Sequence, residues 1–127
     1  MAEPAHPPAD PIRVLVSNVS ELFYSQIAEL IRAEPDMLLV GRATGRVELL
    51  LAVDDGTEVV IIGVPQRAPP PGISSHLLNE YPDLKILVLA ADTGELDMYW
   101  RGLRRKHLGS LSEAALIGRI RELRGLD

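Results

Sequence analysis

Short runs of apolar, β-branched residues alternate with stretches in which apolar residues return every three or four positions, from Ile12 to the end of the chain. That alternation is the signature of a parallel sheet covered by helices on both faces. The first run, Ile12 to Ser17, is almost wholly apolar, as suits a central strand. A helix is expected from Ser20, which can cap it, with Glu21 at the positive end and Phe23, Ile27, Leu30 and Ile31 on one face until Pro35 stops it. Met37 to Val40 reads as the second strand. Gly45 to Val53 reads as a second helix with Val47, Leu50 and Leu51 inward, closed by the turn residues Asp54, Asp55 and Gly56.

The most apolar run, Val59 to Val64, is the third strand. A proline-rich loop from Pro65 to Gly72 leads into a short helix carrying Ile73, Leu77 and Leu78, which ends at Tyr81 and Pro82. Pro69 to Pro71 would stiffen that loop in an extended form, fixing it or offering it to a partner. Lys85 to Ala90 is the fourth strand. Gly94 to Leu103 reads as a fourth helix with Leu96, Tyr99, Trp100 and Leu103 at core spacing, and a weak fifth strand lies near Lys106 to Leu108 before a last helix capped by Ser112. The expected fold is α/β, a flavodoxin-like (βα)5 doubly wound parallel five-stranded sheet with a shortened or irregular fourth helix and fifth strand. Residues 1–11, with four of the ten prolines, read as a disordered arm, and residues 12–127 as the domain.

Composition narrows the chemistry. A chain of 127 residues, 46% hydrophobic, suffices for one domain with a core of its own. It contains no cysteine, which excludes disulfides, thiolate zinc sites and cysteine nucleophiles. The N-terminus lacks the basic and apolar regions of a signal peptide and no apolar run approaches about 18 residues, so a cytoplasmic setting without membrane insertion is expected. The net charge of −5 argues against an electrostatic grip on nucleic acid.

In open sheets of this class, ligands gather where loops leave the carboxyl ends of the strands. Those loops are Ser17-Asn18-Val19, Gly63-Val64-Pro65, Ala90-Ala91-Asp92 and Leu108-Gly109-Ser110. Together with the order of elements, the segments IRAEPDMLLVGRA (31–43), YPDLKILVLA (81–90) and LGSLSEAALIGRIREL (108–123) resemble the receiver domains of transcription-activating response regulators. The resemblance implies two acidic metal ligands after the first strand, where this chain has Asn18 and Val19. It implies a phosphoacceptor aspartate at Gly63, a switch Ser or Thr at Ala90 and a lysine at Gly109. All these positions depart from the family pattern, so neither metal binding nor enzymatic activity is expected, and no cofactor. Phosphoryl transfer to a carboxylate needs a nucleophile, a divalent cation and a stabilising lysine, and each is missing.

The function implied is that of a degenerate receiver in two-component-type signalling, a phosphorylation-independent protein-protein interaction or dimerisation module. Its partner surface would involve the last helices, with Met98, Tyr99, Trp100, Arg101, Arg104 and Arg105 as candidates, because apolar anchors and arginines favour interfaces. The basic run Arg101 to His107 otherwise reads as a solvated edge. The histidines His6, His76 and His107 lie far apart and read as ordinary surface, and Asp54 and Asp55 as turn chemistry. Two alternatives remain: the regulatory part of a transcription regulator whose DNA-binding portion lies elsewhere, or a small-ligand sensor using the altered pocket.

Overall fold

The computed structural model describes residues 11–54, 56–66, 72–101, 104–110 and 113–123. The expected N-terminal arm (except Pro11), the proline run Pro69 to Pro71 and the cap residue Ser112 lie outside the described residues. Strand β1 (Ile12–Ser17) is buried at every position except Arg13. An apolar strand without a solvent face needs neighbours on both edges and cover on both sides. It pairs in parallel with β2 (Met37–Ala43) on one edge and β3 (Val59–Val64) on the other, and β3 pairs in parallel with β4 (Lys85–Ala90).

Helix α1 (Glu21–Arg32) starts where the sequence places it, with the Ser20 Oγ accepting from the Phe23 N–H at 3.2 Å. Helix α2 (Gly45–Ala52) buries Leu49, while Val47 and Leu51 are 69% and 80% exposed. The expectation that Val47 and Leu51 point inward is therefore corrected. In so short a helix only a narrow stripe, centred on Leu49 and the half-buried Leu50, reaches the sheet. Helix α3 (Gly72–Glu80) buries Ile73, Ser74, Leu77 and Leu78.

The second half of the chain departs from five βα repeats. Where a fourth helix is expected, the chain turns at Ala91 to Gly94 and runs back as β5 (Glu95–Trp100), antiparallel to β4, with Leu89 opposite Leu96 and Lys85 opposite Trp100. Gly94, at φ 76°, donates its N–H to the Ala90 carbonyl at 2.8 Å and closes the turn. Strand β6 (Arg104–Ser110) returns antiparallel to β5, and helix α4 (Glu113–Leu123) follows. The sheet is thus six-stranded and mixed, in the order β2-β1-β3-β4-β5-β6.

Leu96, Tyr99 and Trp100 fit helical spacing, but Leu96, Met98 and Trp100 also fit strand alternation, and the second pattern prevails. The open edge of β4 supplies the reason. Its unpaired N–H and C=O groups are satisfied by β5, and the aromatic pair Tyr99-Trp100 suits a pleated surface.

Two apolar cores result. Helices α1 and α4 pack together over Val14, Val16, Ile61, Leu96 and Met98 on one face. On the other, α2 and α3 cover Leu15, Val60, Ile62, Ile86 and Tyr99. Arg121, near the end of α4, clips that helix to the turn before β2. It pairs with Asp36, its Nε 2.7 Å from Oδ2, and with Glu34. Hydrogen bonds to Asp36 and then Glu34 raise the Arg121 pKa above its ordinary value. Among the described residues, no helix is long and apolar enough to cross a membrane.

Tyr99 is 2% exposed and belongs to the α2/α3 core. Replacing it with alanine is expected to lower the unfolding free energy by about 3–5 kcal/mol in a urea titration, whereas a loss below about 1 kcal/mol would mean that β5 is not part of the core.

Candidate functional site

The carboxyl ends of β1, β2 and β3 meet at Asn18. Its backbone is left-handed, φ 57°, a conformation that asparagine tolerates better than most residues. Two hydrogen bonds hold it there: its N–H donates to the Ala43 carbonyl at 3.3 Å, and its Oδ1 accepts from the Gly45 N–H at 3.0 Å. Asn18 therefore ties the loop after β1 to the end of β2 and the start of α2. At the same start, the Thr44 N–H donates to Glu48 Oε1 at 2.9 Å.

This loop lies directly over Gly63. A Cβ at position 63 would collide with the Asn18 carbonyl oxygen and come within 3.0 Å of both the Asn18 carbonyl carbon and Val19 Cγ1. The place where the resemblance puts an acceptor side chain is filled by backbone. Of the other positions singled out in the sequence, Ala90 is buried at the end of β4, opposite Val64. Gly109 does not join them, which corrects its assignment to the pocket. It sits on β6, and β4 and β5 separate it from β3, a span of about 14 Å at the usual spacing of neighbouring strands. Gly109 is instead opposite Leu96 where the β5–β6 register shifts, with φ 74°.

Beside the covered position lies an open cleft of about 290 Å³ between α2 and α3. Leu49, Ile62, Val64, Pro65 and Ile73 are its apolar lining residues, and Asn18 and Arg46 its polar ones. Sequence reasoning missed Arg46. A helix start beside the carboxyl edge was the available signal, but which cation reaches a cleft depends on how α2 is placed. Arg42, also near this edge, pairs with Glu21 at 2.9 Å and lies 4.5 Å from the centre of the Tyr24 ring. Its hydrogen bond and charge hold the Glu21 carboxyl below the usual carboxylate range. The small stability this exposed pair adds is present at neutral pH and is lost as pH falls through that lowered pKa.

The proposed partner residues divide between core and surface. Met98 and Tyr99 are 4% and 2% exposed, on opposite faces of the sheet, so they are core residues and not surface anchors. Strand alternation sends neighbours to opposite sides, and both sides here are covered. Trp100 is half-buried against the α1/α4 core, and Arg101, Arg104 and Arg105 are exposed.

Several cations of the basic run are held by the protein's own acids. Arg101 lies 3.6 Å from Asp83, and Arg105 3.3 Å from Asp97, which is 3% exposed. His107 is a surface residue, as expected, with an acid beside each ring nitrogen: Nδ1 is 3.0 Å from Asp97 Oδ1, and Nε2 is 3.1 Å from Glu95 Oε1. A doubly protonated ring donates to both carboxylates, a neutral ring to only one. Because the carboxylates flank opposite ring nitrogens, they do not converge on a common point. Among the described residues, no group of three His, Cys, Asp or Glu side chains could hold a metal ion.

Comparison with known proteins adds no family assignment: no protein-family model, curated protein or solved structure matches the chain.

Asp97 is the hub of the β5–β6 network. Asp97→Ala is expected to lower unfolding free energy by about 1–2 kcal/mol, because it removes the buried acceptor shared by Arg105 and His107 while those half-exposed partners stay solvated. Chemical denaturation would measure it, and a change below about 0.5 kcal/mol would show that the network adds nothing.

Proposed function

We propose that this chain is a receiver-like module of two-component-type signalling that acts by binding a protein partner and accepts no phosphoryl group. The observation that carries this reading is the close approach of the Asn18 backbone to Gly63. An acceptor carboxylate is missing there, and so is the space for one. The β2-β1-β3-β4 order, with α1 on one face and α2 and α3 on the other, supports a receiver-derived architecture. On this reading, the antiparallel β5 replaces the fourth helix, and α4 takes the place of the last helix of the family.

A binding role for the module draws on surfaces other than the one expected from the sequence. Val47 and Leu51 lie one turn apart on α2 and are both largely exposed. Large apolar side chains left on one helical face favour association, so a homodimer through α2 is the second reading, in place of one through Met98 and Tyr99.

Amide NMR spectra recorded with Mg²⁺ and beryllofluoride test the first reading. Unchanged spectra are expected, and saturable shifts at Asn18, Gly63 and Asp92 would overturn it. Gly63→Asp is expected to remain silent to beryllofluoride and to lose about 1–3 kcal/mol of stability, since its side chain must displace the loop after β1. Sedimentation across a concentration series tests the second reading. Association that is lost in a V47E/L51E double variant is expected, and a parent chain that stays monomeric throughout would exclude the α2 dimer.

A further inference from the structure

We infer that the cleft between α2 and α3 is a binding site for a small organic monocarboxylate with an apolar body, held by Arg46. The cleft opens at the carboxyl ends of β1 and β3, the point where the strand order reverses and where open α/β sheets take their ligands. This inference goes beyond the receiver-like reading and does not rest on it. Arg46 and the apolar lining are the same whichever partner the protein binds.

Three features define the ligand. The first is charge. Arg42 at the same edge is paired with Glu21, whereas Arg46 has no ion-pair partner among the described residues. A single guanidinium matches one carboxylate in a two-pronged contact, while a dianionic phosphate group calls for more cations than this rim supplies.

The second feature is polarity. Val64 and Pro65 keep apolar surface accessible in the lining, whereas Leu49, Ile62 and Ile73 are nearly covered, which favours a compact body that buries a little hydrocarbon over a fully hydrated anion. Size is the third. At about 290 Å³ the cleft lies at the small end of the roughly 300–1,000 Å³ typical of ligand pockets, which points to a compact acid. The Asn18 loop fits a rigid wall for such a site, because its left-handed backbone is pinned to both Ala43 and Gly45.

Benzoate serves as the probe, added to the labelled full-length chain at neutral pH and physiological salt. Benzyl alcohol is its uncharged counterpart, and inorganic phosphate is an anion without an apolar body. Saturable amide shifts clustered at Asn18, Gly63, Val64 and Gly72 are expected with benzoate, and at least about ten-fold weaker binding for both controls. Arg46→Gln, at an exposed position, should leave the spectrum folded and weaken benzoate by a similar factor. The inference is overturned by benzoate shifts that do not saturate or that scatter over the surface. Equal binding of benzyl alcohol, or undiminished binding to R46Q, would remove the role of Arg46. Phosphate binding more tightly than benzoate would replace the organic acid with a simple anion site.

Discussion

Burial of β1, β3 and β4 on both faces is the constraint on which the other elements depend. These strands carry almost no polar side chains, so their backbone groups must be satisfied within the sheet and their side chains covered from both sides. That demand places α1 and α4 over one face and α2 and α3 over the other, and it leaves each edge of the three-strand centre in need of a partner. On one edge β2 meets the need in parallel. On the other β5 meets it in antiparallel, which removes any requirement for a crossover helix between β4 and its neighbour.

The same constraint shapes the carboxyl edge. Because β1 and β3 are adjacent, the loop leaving β1 must cross the end of β3, and Gly63 lets it cross in contact. A residue with a side chain would hold the loop away, so the absence of a carboxylate there and the path of Asn18 are a single structural fact. Asn18 completes the arrangement by reaching the first turn of α2, which in turn sets Arg46 at the mouth of the adjoining cleft.

The hairpin β5–β6 shows how a charged segment can be structural. Asp97 is carried into a buried position by strand alternation, and Arg105 and His107, from the neighbouring strand, surround it. The basic run is an exposed edge, as its sequence suggests, but two of its residues, Arg105 and His107, are also held by the buried Asp97. Charges across an outer strand also discourage that edge from pairing with another sheet.

The α/β alternation, the strands Ile12–Ser17, Val59–Val64 and Lys85–Ala90 and the Ser20 cap were legible in the amino-acid sequence. Each depends on local composition or period, which a linear pattern carries. The strand state of Glu95–Trp100 was not, because a six-residue run that satisfies both helical and strand spacing is decided by the open edge of β4. The removal of Gly109 from the pocket follows from that one choice, which inserts an extra strand. So do the burial of Met98 and Tyr99 on opposite faces and the enclosure of Asp97. The aim of Arg46 into the cleft and the exposure of Val47 and Leu51 depend on how α2 lies on the sheet. Periodicity tells which residues share a face, but only packing decides which face is covered.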